Sequence, residues 1–175
     1  MKQKIQIMAL LLSSLTLFTL SCQKQSALKQ QPPEEIATTI GKANNPTFNL
    51  EVILRGEGDR FGHIKFRQDV DPSKIINLGT WVRDLEPNHQ YLLQRAVDAA
   101  NVVDGDCTSA SWLTLGKGLT PQSILTNDSG EGSEELWRDI SMLASGTKFD
   151  IHFRIVDAAT MAVVLTSDCY QYVVR

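Results

Sequence analysis

The sequence contains few of the side chains that metal binding and nucleophilic catalysis require. Its 175 residues include three histidines and three cysteines. The histidines, His63, His89 and His152, have no partner histidine two or four residues away. A metal site needs three or four converging ligands, and a nucleophile needs a neighbouring base. We therefore predict no catalytic residue, no metal site, no cofactor and no enzymatic activity.

Motifs of the common enzyme classes are also missing. The serine-nucleophile pattern Gly-x-Ser-x-Gly does not occur. Gly56, Gly58 and Gly62 lack the spacing of a dinucleotide-binding loop, and a strand pattern follows them where that loop needs a helix. Because glycines between two strand patterns are typical of a turn, we interpret these three as turn residues.

The main acid-rich cluster combines two loops. Asp104 and Asp106 lie in a long polar segment, and Asp128 and Glu131 lie in a later one. Their carboxylates are suitable calcium ligands, but the spacing of an EF-hand loop is missing. The sequence around Asp128 is first of all typical of a turn. Whether these four residues bind calcium stays open at the level of the sequence.

The chain also lacks an apolar run long enough to span a bilayer as a helix. Residues 5–20 are mostly apolar and follow two lysines, Lys2 and Lys4, whereas a transmembrane helix needs roughly 20 apolar residues. A basic start, a short apolar run and then Ser21-Cys22 are typical of a secretory signal. The pattern resembles the bacterial lipoprotein signal, which implies cleavage before Cys22 and attachment of lipid to it. An ordinary cleaved signal peptide is the alternative.

Two neighbouring positions refine this resemblance. Thr19 stands three residues before the cysteine, where the family usually has Leu. Gln23 follows the cysteine, where an inner-membrane retention signal would have Asp. The resemblance therefore implies an exported protein, anchored by lipid in the cell envelope at the outer membrane.

The composition of the chain predicts a signal peptide, a linker and one domain. Residues 1–21 form the signal peptide. Residues 22–46 have no apolar periodicity and contain Pro32-Pro33, which is typical of a flexible linker behind a lipidated N-terminus. Residues 47–175 remain as one domain of ordinary size. Without Lys2 and Lys4 the basic residues number 15 against 20 acidic ones, so the net charge of −5 argues against nucleic acid as a partner.

Residues 47–175 show the alternation of apolar and polar residues that is typical of β-strands. Between Phe149 and Ile155, every second residue is apolar, and Asp150, His152 and Arg154 lie between them. This pattern predicts a strand with one face in the core and the other in water. Similar segments recur every 10–15 residues with turn signals between them. We predict an all-β domain, a single antiparallel Greek-key-like β-sandwich.

Lipidation of Cys22 leaves Cys107 and Cys169 as a pair. Exported proteins meet an oxidising environment, in which two thiols of a small domain are more often bonded than free. We therefore predict a disulfide between them. It would close a loop for which a chain-entropy estimate gives about 4 kcal/mol of stabilisation.

Three features of the domain resemble the Cu,Zn superoxide dismutase-like β-sandwich. They are the hairpin around Gly62-His-Ile-Lys-Phe66, the strand-turn-strand segment 82–91, and a mid-chain cysteine that pairs with one on the final strand. The resemblance implies the scaffold and the disulfide of that family. Fold likeness by itself does not carry function.

The metal ligands of that family are missing from this sequence. In the family, two alternating histidines bind copper on the strand after a Leu-x-Pro turn. Matching on Tyr91 places Leu92 and Gln94 at those positions, and matching on Pro87 places Leu93 and Arg95 there. No histidine occurs between residues 90 and 150, where the family keeps its zinc ligands.

Exposed aromatic side chains are the remaining candidates for function. Trp81 and Trp137 alternate with core-type neighbours, so we predict that they face outward and form a binding face for a protein or a glycan. The leading hypothesis is a lipid-anchored, non-enzymatic envelope protein that binds an unknown envelope protein or glycan. The alternatives are a degenerate superoxide dismutase-like metal-binding protein and a structural surface lipoprotein.

Overall fold

The computed structural model describes residues 47–175, which contain β-strands and no α-helix. The all-β class is confirmed. No helix in this part of the chain is long and apolar enough to cross a membrane. The predicted signal peptide, Cys22 and the linker lie outside the described residues. The strands are β1 (Phe48–Arg55), β2 (Phe61–Gln68), β3 (Ile75–Arg83), β4 (Gln90–Val97), β5 (Leu113–Thr114), β6 (Gly116–Lys117), β7 (Thr120–Pro121), β8 (Ser123–Leu125), β9 (Gly132–Asp139), β10 (Lys148–Asp157), β11 (Val163–Ser167) and β12 (Tyr170–Val173).

All twelve strands belong to one hydrogen-bonded sheet, so the prediction of a single antiparallel Greek-key-like β-sandwich is confirmed only in its all-β class, because the sheet is mixed and not strictly antiparallel. Strands β1, β2, β3 and β9 form one antiparallel half, and β10 with β4 and β12 forms the other. Strand β11 joins the halves because it pairs with β10 along one edge and with β1 along the other. A parallel pair, Lys117 with Trp137, makes the sheet mixed.

The sheet curls into a nearly closed barrel through the segment between β4 and β9. Strands β5 and β8 both pair with β4, so they act as one closing strand from which the β6–β7 hairpin protrudes. Among the described residues, this closing segment pairs with β9 through Thr126–Gly132 and Lys117–Trp137. Between these two contacts the seam lacks a continuous ladder.

The inward faces of the strands form one apolar core. The alternation of β10 places its aromatic and aliphatic residues inward as predicted. Phe66 lies at the centre of an aromatic cluster, with ring centroids 5.8 Å from Phe48, 6.2 Å from Phe153 and 4.9 Å from Tyr172. The fully buried members of the core include Val52, Leu54, Ile64, Leu93, Ile124, Ile155 and Val156.

The outer face of β10 is covered, contrary to the prediction that its polar residues face water. Asp150 is fully buried, and its Oδ2 accepts hydrogen bonds from the backbone N–H groups of Asp104 (2.8 Å) and Gly105 (2.9 Å). Trp112 packs against the His152 ring at 4.6 Å and under the Arg154 guanidinium at 4.0 Å. The reason is that the loop 98–112 folds back over this strand, a contact between residues distant in sequence.

The predicted disulfide is confirmed and holds this loop. Cys107 and Cys169 are bonded with their Cα atoms 5.4 Å apart, inside the usual range of roughly 4.4–6.8 Å. Cys169 lies between β11 and β12. The bond therefore attaches the covering loop to the point where the pairing of β10 passes from one strand to the next.

A buried glutamine joins two strands and the last described residues at one end of the barrel. Gln68 is fully buried, and its Oε1 accepts hydrogen bonds from the Tyr172 hydroxyl at 2.5 Å and from the Arg175 backbone N–H at 2.9 Å. Burial raises the pKa of Tyr172 above its ordinary value, so its hydroxyl remains a donor at physiological pH.

Substitution of this glutamine should destabilise the domain. In Gln68→Leu the Tyr172 hydroxyl and the Arg175 N–H lose their acceptor, so we expect the free energy of unfolding, measured by urea titration, to fall by about 1–3 kcal/mol. Adding Tyr172→Phe removes one unsatisfied group and should recover part of the loss. A double variant less stable than the sum of the two single effects would contradict this explanation.

Candidate functional site

The two predicted tryptophans lie on the outer face of neighbouring strands but at different heights. Trp81 is 37% exposed and Trp137 is 39% exposed. The register pairs Trp81 with Ser133 and Trp137 with Asn77, so the two positions are four residues apart along the strands, roughly 13 Å.

Each tryptophan packs against a different neighbouring residue. Phe61 packs edge-on against Trp81 at 6.1 Å. Gly118 lies against Trp137, where an added Cβ would come within 2.8 Å of the ring. The structure therefore places two separately supported aromatic side chains on this face, and ligand binding there stays a prediction.

The four acidic residues considered for calcium do not come together. Asp104 and Asp106 follow the end of β4, where the Asp98 N–H bonds to the Asp150 carbonyl. Asp128 and Glu131 lie at its beginning, where the Asn88 N–H bonds to Asn127. The length of β4 separates the pairs by roughly 23 Å. Within residues 47–175 no group of three or more His, Cys, Asp or Glu side chains is arranged to hold a metal ion.

The histidines are equally separate, and each has its own partner. His63 contacts Glu51, and His89 Nε2 lies 2.5 Å from an Asp157 carboxylate oxygen. His152 Nε2 lies 3.0 Å from the Ser109 carbonyl oxygen. These contacts join neighbouring strands or hold a loop, and they bring no two histidines together.

The four positions that the resemblance compares with copper ligands lie on both faces of β4. Leu93 is in the core, and Gln94 is buried on the outer side, where it bonds to Thr114 and Arg154. Leu92 is on the outer face as well. Arg95 follows the inward alternation of β4, which places a cation toward the interior of the barrel.

That interior contains a cavity at the end of the barrel where β4 and β9 finish. It has a volume of about 60 Å³ and a mostly apolar wall. The wall is formed by residues from six strands, from the loop after β9 and from the position between β5 and β6, namely Phe66, Ile76, Leu78, Val97, Leu115, Ile140, Leu143, Phe149, Ile151, Phe153 and Tyr172, together with Arg95 and Arg138. A concave, largely apolar space with a few converging polar groups is the usual form of a small-molecule site.

Arg95 and Arg138 give this cavity its charge. Both are partly buried. Burial lowers the pKa of the Arg95 guanidinium, and the nearby positive charge of Arg138 lowers it further. Among the described residues, no carboxylate oxygen lies within 4.0 Å of either guanidinium. Two like charges therefore line one apolar cavity with no carboxylate of residues 47–175 at ion-pair distance, and Asp139, which follows Arg138 in β9, interacts with that arginine only at longer range.

The two arginines flank the incomplete seam of the barrel. Arg95 pairs with Leu113, where the closing strand begins. Arg138 donates a hydrogen bond from Nη1 to the Gly118 carbonyl oxygen of the protruding hairpin at 3.3 Å. Leu115, in the closing segment between β5 and β6, is buried and forms the cavity wall on this side.

The loop 140–147 lies across the same end of the barrel. Leu143 contributes to the cavity wall, and its carbonyl oxygen accepts a hydrogen bond from Lys74 Nζ at 2.7 Å. Met142 next to it is 95% exposed. Exposed Val70 and Val102 lie on the loops that leave β2 and β4 at this end. Three exposed apolar side chains therefore lie on loops at this end of the barrel.

The sequence contained one signal for this site, an arginine at an inward position of a strand, which was not recognised from the strand pattern alone. In β4 the inward series is Tyr91, Leu93, Arg95 and Val97, and in β9 an arginine follows buried Leu136 at the same period. A charged residue at a core position of a strand needs a partner or a role. Local periodicity could not show that two such residues on strands distant in sequence share one cavity.

Comparison with known protein families, curated proteins and solved structures gives no match for this chain. The function therefore has to be argued from the residues and from the cavity.

Proposed function

We propose that this chain is a lipid-anchored protein of the bacterial cell envelope, at the outer membrane, whose β-barrel domain is a non-enzymatic binding module. The anchor is supported by the likeness of residues 1–22 to a lipoprotein signal. The compartment is supported by the Cys107–Cys169 disulfide, since such bonds persist in oxidising surroundings.

The binding site of this module is the barrel cavity. The observation that carries this proposal is an apolar cavity with two arginines that have no carboxylate partner among the described residues. A residue kept only for packing at these positions would be apolar, since burial of an unpaired charge costs free energy. On the outer face, Trp81 borders a groove of about 340 Å³ with Leu125, Asn127, Glu131, Gly132 and Ser133, but the wall of that groove is mostly polar and contains no cationic residue.

The cavity can be tested with a neutral probe. Crystals of the domain under xenon pressure should show xenon beside Leu115 and Ile151, because apolar cavities bind this gas. Leu78→Phe, which fills the cavity, should abolish the xenon peak. Xenon density elsewhere only, or none, would contradict a binding cavity at this end of the barrel.

The anchor is tested by removing the cysteine to which we propose that lipid is attached. We expect Cys22→Ser to move the protein from the membrane fraction to the soluble fraction of the cells, because lipid attached to this residue is the anchor proposed. Immunoblots of the separated fractions measure the change, and Ser21→Ala with Cys22 intact is the control. A Cys22→Ser chain that remains in the membrane fraction after signal cleavage would contradict lipid anchoring.

A further inference from the structure

We propose that the ligand is a small amphipathic anion whose oxyacid head group, a carboxylate or a phosphate, is bound by Arg95 and Arg138 and whose short aliphatic tail lies in the cavity. This inference rests on the proposed function of the cavity and adds the chemical class of the ligand.

The charge of the site selects an anion. Two arginines line one apolar space and lie close enough for their charges to interact, and no carboxylate of the described residues is within 4.0 Å of either guanidinium. Like charges in apolar surroundings disfavour each other, and burial together with the Arg138 charge lowers the pKa of Arg95. An anion between them would remove that repulsion. The planar guanidinium fork matches the geometry of carboxylate and phosphate oxygens.

The size of the cavity limits the tail. Its volume is about 60 Å³, whereas an engineered apolar cavity of roughly 150 Å³ holds one benzene. The space therefore accommodates only a few non-hydrogen atoms, which fits the end of a short aliphatic chain and excludes a whole long-chain lipid or a sugar ring. The wall residues are aliphatic and aromatic, so the tail needs no polar groups.

The position of the arginines gives the ligand its orientation. Arg95 stands where the closing strand begins, and Arg138 reaches the protruding hairpin at Gly118. Both therefore lie toward the incomplete seam, and Phe66, Phe153 and Ile151 form the deeper wall. The head group is expected at the seam and the tail toward these residues.

Calorimetric titration with pentanoate, butyl phosphate and neutral 1-pentanol tests this class. The exported Cys22→Ser chain should bind at least one of the two anions at least tenfold more tightly than the alcohol. Arg95→Met and Arg138→Met should each weaken binding of that anion at least tenfold and leave xenon binding unchanged. The control Arg55→Met, on the exposed outer side of β1, should bind like the parent chain.

Thermal melting of the same variants separates a binding role from a structural one. Both substitutions remove a partly buried charge that has no carboxylate within 4.0 Å. Arg95→Met should therefore melt at or above the temperature of the parent chain, and Arg138→Met, which also loses the hydrogen bond to the Gly118 carbonyl, should melt near it. Variants that unfold or melt markedly lower would show that the arginines serve the fold, and this would overturn the proposal. Absence of anion binding, or equal affinity in the arginine variants, would also overturn it. If xenon still binds in that case, the proposal that the cavity is the binding site is retained, and only the proposed class of ligand is rejected.

Discussion

Replacing both cysteines of the disulfide, in a Cys107→Ala/Cys169→Ala variant, should lower the free energy of unfolding by about 2–4 kcal/mol and the melting temperature by roughly 10 °C. The bond closes a loop of 62 residues, so its removal frees a long segment of the unfolded chain. It also releases the loop 98–112 from the outer face of β10. Asp150 would then become accessible to water.

Differential scanning calorimetry with and without reductant measures this effect. The reduced parent chain should melt at a temperature close to that of the double variant, and each single Cys→Ala variant should be similarly destabilised. Ser111→Ala in the same loop is the control, since its side chain is exposed. A double variant within about 0.5 kcal/mol of the parent, or a free thiol found without reductant, would contradict a structural bond.

Truncating the centre of the aromatic cluster should have an effect at least as large. In Phe66→Ala a ring that is 1% exposed is replaced by a methyl group, and such changes cost about 3–5 kcal/mol. The neighbouring rings of Phe48, Phe153 and Tyr172 would lose their edge-on partner. Because Phe66 also lines the cavity, the change enlarges the proposed binding site.

Urea unfolding measures this loss. Phe61→Ala at the other end of the same strand is a matched control, because Phe61 is partly exposed on the outer face and should cost about 1 kcal/mol. Equal losses in the two variants would show that burial at the cavity is not what makes Phe66 important.

The sequence allowed prediction of those features that depend on local pattern or on counting. The period-2 alternation of β10 was sufficient to predict which of its residues face the core. The disulfide was predicted from three cysteines, one of which was assigned by hypothesis to lipidation. Neither inference required knowledge of which strands are neighbours.

Features that depend on contacts between distant segments were not predicted. Asp150 was expected in water because its strand alternates, and it is buried because residues 98–112 fold over it. A sandwich was expected, but the strands form one nearly closed sheet because β11 pairs with β10 along one edge and with β1 along the other. Likewise, Arg95 and Arg138 are 43 positions apart, and only the closure of the barrel brings them to one cavity.

Methyl and indole NMR spectra of the chain during titration with pentanoate test the central claim most directly. Saturable shifts should appear in the methyl signals of Ile76, Leu115 and Ile151, which line the cavity, while the indole signals of Trp81 and Trp137 stay in place. Shifts at the two indoles with unchanged cavity methyls would place binding on the outer face and contradict the account. Unchanged signals at all five residues would contradict binding of this anion in the barrel.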